Sequence, residues 1–486
     1  DYVRMVRNDL MGIVREDLIF DLGTHVDDSV HLFEEWGLPV WKKTDDGKNL
    51  DGKKGQKVGT LKGGATPVRT GKWQIMINGE SYKRIVAEAA KLAIGDDNVL
   101  ERVFIVELLL DANQENQIAG AIGFSVRENK VYIIKCKTMM VACGGAVNIY
   151  QPRSVGEGKG RAWYPVWNSG STYTLAMRIG AELSMMENRF TPARFKDGYG
   201  PVGAWFLLFK AKTLNGLGEA FAGSDAAKAE LEKYAPYGTA AITPTCLRNH
   251  LMLFEMKEGR GPIMMDTVTA LAELGKTMDK KELKHLESEA WEDFLDMTCG
   301  QANLWCATNT EPEKKNSEVM PTEPYLLGSH SGCCGLWTSG PDYDWVPESY
   351  KIKARNGKSY NRMTTVEGLF TAGDGVGCSG HKFSSGSHAE GRMVGKQMVR
   401  YAKDFADFAP ALSQSKEELV DIVYKPVRTF LESCDYTTAI NINPNYLKPE
   451  GMMYRLMKAT HEYGAGTATY YQTTSKRSEE RRVGKE

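Results

Sequence analysis

The sequence contains no run of eighteen apolar residues, so a membrane-spanning helix is not expected. Its first residues, Asp1-Tyr2-Val3-Arg4, carry no apolar signal-peptide core. Nine cysteines are scattered along the chain and none forms a CxxC pair. Cys333 and Cys334 are adjacent, which is poor spacing for joint metal ligation. This pattern points to reduced thiols in the cytosol and away from a zinc or iron–sulfur site in this chain. Neither sign of charge dominates, with Lys+Arg 61 against Asp+Glu 62 and a net charge of -1. The balance gives no global case for binding nucleic acid or an acidic membrane surface. No internal repeat is visible.

A length of 486 residues is enough for a sizeable core and suggests about two to four domains. Both ends read as cut. The chain begins inside a helical pattern carried by Val3, Val6, Leu10, Ile13 and Val14. It ends in a charge run over 477–486 that reads as an artefactual tail. A second helical pattern has Val26, Val30, Phe33 and Trp36 on one face and stops at Gly37-Leu38-Pro39. Residues 45–70 read as a surface loop, Ser81 to Leu92 as a helix. Val103 to Leu110, Gln117 to Val126 and Lys130 to Val141 read as three strands. The third runs into Ala142-Cys143-Gly144-Gly145-Ala146, where paired glycines permit close backbone approach to a nucleotide. Ser171 to Ile179, Ala226 to Tyr234, Lys280 to Phe294 and the stretch from Glu417 read as helices.

The chain is organised around Gly368-Leu369-Phe370-Thr371-Ala372-Gly373-Asp374-Gly375 and the segment Gly380 to Gly391. Gly368 to Ala372 reads as a short buried strand and Gly373 as a tight turn beside a ligand. Ser384 to Ser387 open a helix whose backbone N–H groups can face an anion or a polarised carbonyl. The segment from Glu187 to Pro324 differs, being rich in Arg, Lys, Met and aromatics. It reads as a substrate domain inserted into a cofactor domain.

Strand-Ala142-Cys143-Gly144-Gly145-Ala146, Ser169-Gly170-Ser171 and Gly368 to Asp374 occur in the order found in the fumarate reductase/succinate dehydrogenase flavoprotein family, which the chain resembles. Within that family it looks most like adenylylsulfate (APS) reductase alpha subunits. Asn188 to Gly203, Glu157 to Trp167 and Gly328 to Gly335 carry this likeness, which extends to about Ser475. The resemblance implies an α/β fold: a Rossmann-like FAD-binding domain lacking its N-terminal βαβ unit, an inserted capping domain and a truncated helical domain. The implied boundaries are 1–187 and 325–416 for the two parts of the FAD domain, 188–324 for the cap and 417–476 for the helical start. The G-x-G-x-x-G unit that holds the pyrophosphate would lie upstream of Asp1, so this chain alone would bind FAD poorly.

The resemblance implies cofactor contacts at Gly144, Gly145, Ser171, Gly373, Asp374, Ser385, Gly386, Ser387 and His388. Asp374 stands where many relatives have Glu, and Ser171 where many have Asp. It implies substrate contacts at Arg194, Arg248, Trp163 and Leu207, and catalytic work by Arg194, Arg248 and His330. Guanidinium groups suit the charged oxygens of a phosphoric–sulfuric anhydride. Each residue also has a purely structural reading. Arg194 could be a surface ion pair in Arg194-Phe195-Lys196-Asp197, Arg248 a helix cap, His330 a structural histidine and Trp163 core.

The implied reaction is two-electron reduction of APS to sulfite and AMP through a flavin N5–sulfite adduct, or the reverse. Electrons would come from a beta subunit carrying iron–sulfur clusters, with exchange at a membrane complex possible. Two alternatives stand beside it. One is a dicarboxylate enzyme of the fumarate reductase, succinate dehydrogenase or aspartate oxidase type. Those have His-Pro-Thr-Gly where this chain has Thr191-Pro192-Ala193-Arg194, and a catalytic Arg near Lys382. The other is a flavin electron relay without its own substrate. Sequence leaves open the direction, the oligomer, the electron donor and the role of His330.

Overall fold

The structure is a computed structural model of the chain. It describes all residues except 1, 11, 38–78, 151–164, 190, 201, 204, 206–208, 233–243, 298, 322–324, 331–332, 435–448 and 464–486. The expected loop at 45–70 and the terminal charge run lie outside the described residues.

Two helices open the chain, α1 (Tyr2–Asp9) and α2 (Glu16–Glu35). The apolar spacing predicts that the first helix continues to Val14, but it ends earlier. Gly12 takes a left-handed conformation at φ 81°, and its N–H reaches back to the Arg7 carbonyl at 2.8 Å. That closure ends a helix whatever the apolar pattern beyond it. Then α3 (Gly79–Ile94) leads into an antiparallel meander of β1 (Val103–Leu110), β2 (Ile118–Ser125) and β3 (Val131–Lys135).

The predicted third strand is in fact two. β3 stays in the meander. β4 (Met139–Val141) leaves it to pair in parallel with β11 (Leu369–Thr371). The switch is made at the Gly368 carbonyl, which accepts from Met139 N–H at 3.0 Å and from Thr138 Oγ1 at 2.8 Å. A change of strand partner leaves the apolar pattern intact, so periodicity could not reveal it.

After α4 (Ser171–Arg178), β5 (Leu183–Ser184) pairs with the distant β10 (Gly335–Leu336). Between them lies a four-stranded antiparallel sheet. Its strands are β6 (Ala193–Phe195), β7 (Lys212–Leu214), β8 (Ile263–Asp266) and β9 (Ser317–Pro321), in the order β6-β9-β8-β7. Helices α5 (Asp225–Glu232), α6 (Pro244–Lys257), α7 (Thr267–Thr277), α8 (Lys280–Met297) and α9 (Cys299–Ala307) accompany it. β8 buries Ile263 and Met265 and leaves the alternate residues half-buried. They join Phe195, Trp205, Phe209, Met252, Trp305 and Val319 in one core. Its aromatic rings meet edge to face, Phe195–Trp305 at 5.0 Å and Trp205–Trp305 at 5.7 Å between centroids.

The chain then returns through β10 and β11 to α10 (Phe383–Asp404), which lies along α2. Next, α11 (Lys416–Cys434) seats Leu419 against Leu109 and Ile122 of the meander, and α12 (Pro449–Tyr463) follows. Among the described residues no helix is long and apolar enough to cross a membrane.

Candidate functional site

β4 and β11 end side by side, with Thr371 opposite Val141 and Thr371 Oγ1 donating to the Val141 carbonyl at 2.7 Å. Both strands leave through left-handed glycines, Gly144 at φ 76° and Gly373 at φ 64°. Two helices start at the same end. Neither helix N-cap, Gly170 for α4 or Lys382 for α10, supplies a side-chain capping bond. The first turn of α4 touches both glycine turns. Cys143 N–H donates to Thr172 Oγ1 at 2.9 Å, Gly170 N–H to the Gly145 carbonyl at 3.1 Å, and Tyr173 OH to the Asp374 carbonyl at 2.9 Å. Carboxyl ends of parallel strands facing helix N-termini form a donor-rich crevice. Such an edge fits the phosphates of a dinucleotide or the N1–C2=O side of a flavin.

The crevice is braced by buried charge. Glu390 in α10 is fully enclosed. It accepts from Gly373 N–H at 2.8 Å, Lys382 Nζ at 3.0 Å and Arg362 Nε at 2.8 Å. Arg362 reaches on to Asp21 of α2 at 3.1 Å. Lys382 also donates to the Gly373 carbonyl at 2.6 Å and to Ser379 Oγ at 3.0 Å. Burial alone would raise the Glu390 carboxyl, but Lys382 and Arg362 hold it below its ordinary range.

Arg194 sits on β6 with only 8% of its surface exposed. In the same stretch Lys196, more exposed, meets Glu318 at 3.0 Å. His330 is half-buried next to Ser329, whose Oγ lies 3.1 Å from His330 Nδ1. Burial pushes the His330 imidazole down to about 4; Asp374 opposes this, while Arg194 and His381 add to it. Asp374 Oδ1 accepts from Ser329 N–H at 2.9 Å and from Ser329 Oγ. The Phe383 ring stands edge-on to His330 at 4.8 Å and stacks with His381 at 6.0 Å.

Cys333, Cys378, His381 and Phe383 all have left-handed backbones. Side chains rarely tolerate this conformation unless the surroundings fix it. Here Cys378 N–H donates to the Cys333 carbonyl at 2.6 Å, His381 N–H to the His330 carbonyl at 3.1 Å and Lys382 N–H to the Ser329 carbonyl at 2.7 Å.

The structure thus draws Gly144, Gly145, Ser171, Gly373 and Asp374 to one crevice, with His330 linked to it through Ser329. Ser171 opens α4. Gly145 has no room for a side chain, since a Cβ would lie 2.1 Å from the Leu326 carbonyl. Ser385 and Ser387 are half-buried in the first turns of α10, and a Cβ on Gly373 would sit 3.3 Å from Ser387 Oγ. Gly386 lets α10 close on Lys382 and on Leu22 of α2. His388 packs its ring against Phe33 at 4.6 Å and Trp36 at 5.6 Å, on the α2 side. Arg248 lies on α6, its side chain outside the described residues. Its neighbour Asn249 donates to the Thr191 carbonyl at 2.6 Å, tying α6 to the segment that carries Arg194. Trp163 and Leu207 lie outside the described residues.

Sequence reasoning missed Ser329, Tyr173, Arg362, Lys382 as a brace, and Glu390. Ser329 adjoins His330 in the run Gly328 to Gly335 and could have been noticed there. Glu390 gives no local sign, because a mid-helix glutamate reads as solvated.

No protein-family model matches the chain. The chain is 64% identical over 475 residues to the adenylylsulfate reductase subunit alpha of Megalodesulfovibrio gigas, covering 98% of this chain and 71% of that protein. A solved adenosine-5-phosphosulfate reductase, in complex with sulfite as a covalent adduct, is 49% identical with a TM-score of 0.83. It covers 97% of this chain and 70% of that one. The Escherichia coli quinol fumarate reductase shares the fold at 14% identity and a TM-score of 0.58, covering 95% and 68%. By sequence and fold together, the chain belongs to the adenylylsulfate reductase alpha-subunit family.

Proposed function

We propose that this chain carries the site at which adenylylsulfate is reduced to sulfite and AMP, or at which sulfite and AMP are joined oxidatively. The observation that carries the reading is a buried guanidinium, Arg194, electrostatically coupled to His330 beside the donor-rich crevice. FAD, when bound there, supplies the two-electron couple. Gly144, Gly145, Ser171 and Gly373 would lie along the cofactor, with the first turns of α4 and α10 aimed at its negative edge. In the reductive direction two electrons pass to sulfur, the bond from sulfur to the bridging oxygen breaks, and AMP leaves with that oxygen. Arg194 and Arg248 hold the sulfuryl and phosphate oxygens as negative charge moves onto them. Trp163 and Leu207 exclude water around the reacting rings.

Residues 188–324 serve as the cap that brings Arg194 and Arg248 over the cofactor. An iron–sulfur beta subunit supplies or receives the electrons. Two observations weigh against the alternatives. Lys382 is enclosed and paired with Glu390, so it cannot reach a dicarboxylate in the crevice. A pure relay would have no use for a buried anion clamp.

The test uses the full-length protein with its beta partner, assayed for sulfite-dependent reduction of an artificial acceptor with and without AMP. Dependence on both sulfite and AMP is expected, and activity on succinate instead would overturn the reading. Arg194→Ala and Arg248→Ala are each expected to lower turnover by on the order of 10²-fold while flavin absorbance is retained. Full turnover in either variant would remove that residue from the site.

A further inference from the structure

The proton count around Ser329 determines what His330 can do. Ser329 Oγ lies between the Asp374 carboxylate and His330 Nδ1. A carboxylate can only accept, so the single hydroxyl proton goes to Asp374 Oδ1. The Ser329 N–H reaches the same oxygen at 2.9 Å, which fixes the hydroxyl's orientation. Ser329 Oγ therefore meets His330 as an acceptor, and Nδ1 must bring the proton. A neutral imidazole carries only one N–H, so Nε2 is left with its lone pair.

We propose that Asp374 and Ser329 are positioning residues that lock His330 in the Nδ1–H tautomer and present Nε2 to the substrate as an acceptor. This rests on the proposed reaction, with His330 doing the catalytic work that the family resemblance implies, and it deepens that reading. Among the described residues, the groups facing His330 include Ser329, Asp374, Arg194, His381 and the Phe383 ring. Burial first, with the Arg194 guanidinium adding to it, keeps the ring neutral at neutral pH, in accord with its lowered pKa. The labour is then divided. Anionic oxygens of the sulfuryl and phosphate groups go to guanidinium donors. His330 orients a proton-bearing group, such as a ribose hydroxyl or hydrogensulfite, and repels a bare anionic oxygen from its own position. That sorting fixes which way round the substrate lies.

The test reads the tautomer directly, by 15N NMR of the holoenzyme labelled with [15N]histidine. The His330 signals are assigned by their loss in His330→Gln. The native enzyme should show Nδ1 protonated and Nε2 bare. In Asp374→Asn the amide can turn an N–H toward Ser329 Oγ, which turns the hydroxyl toward Nδ1 and moves the ring proton to Nε2. The tautomer signature should reverse, kcat should fall by about 10- to 100-fold and KM for AMP should hardly change. Asp374→Glu should restore both the signature and most of the turnover. Ser329→Ala should give a mixture of tautomers, which supplies a second reading where Asp374→Asn folds poorly. Protonated Nε2 in the native enzyme, or an unchanged signature in both variants, would overturn the proposal. Absent activity with sulfite and AMP would instead sink the functional reading, and the tautomer result would stand apart from it.

Discussion

The two regions that meet at the site are built from opposite materials. The crevice side is held by glycine turns and by charges sealed from water, with Glu390 and Lys382 side chains 0% exposed. The sheet that carries Arg194 is held by edge-to-face aromatics and interleaved apolar chains. The difference reflects what each side has to present. A donor edge needs exposed backbone N–H groups, and side chains large enough for ordinary packing would cover them. The crevice therefore draws rigidity from behind, through carboxylate bonds to Gly373 N–H and to the cations around it. Arg194 needs only a stiff strand beneath it, which a dense apolar core provides.

The sharpest way to break this contrast is Glu390→Gln. It leaves Lys382 and Arg362 buried without their shared anion and is expected to cost about 3–5 kcal/mol. Chemical denaturation would read the loss, and a cost below about 1 kcal/mol would show that the crevice does not depend on charge. A smaller effect should come from acid. With His330 held at about 4, against an ordinary 6.5, the unfolded chain takes up the proton first. The neutral ring's contribution is complete above pH 6.5 and is lost as pH falls from 6.5 through 4, amounting to at most about 3 kcal/mol. Unfolding free energies across that range should fall more steeply for the native protein than for His330→Gln. Parallel profiles would mean the ring does not enter the folded state neutral. The smallest effect belongs to the apolar region, where Met265→Leu keeps volume and character and should cost under about 1.5 kcal/mol. A loss as large as that of Glu390→Gln would erase the distinction between the two regions.

What could be read from the sequence follows the same division. Local signals located the helices: Ser171 to Ile179 against the observed Ser171–Arg178, and Lys280 to Phe294 against Lys280–Met297. Glycine marked the two turns at Gly144 and Gly373 because left-handed backbone leaves a residue-type trace. Partnerships between distant segments leave no such trace. Nothing near residue 136 announces that β4 will abandon the meander. Nothing in Gly-Arg-Met-Val after Glu390 shows that this carboxylate meets an arginine 28 residues upstream. The long runs around Arg194 and His330 pointed to the family that the relatives show, and through it to the candidate site. The hydroxyl that joins His330 to Asp374 needed coordinates.

The parallel pairing of Val141 with Thr371 spans 230 residues of chain. On a ribosome adding about 5–20 residues per second, the first strand waits roughly 10–50 s for its partner. During that interval the intervening sheet can form, but the crevice cannot, because half of its walls do not yet exist. Closing a loop of that length is entropically unfavourable and becomes easier once the segment between has compacted. Assembly order is thereby written into connectivity: the four-stranded sheet comes first, and the glycine-walled crevice closes last.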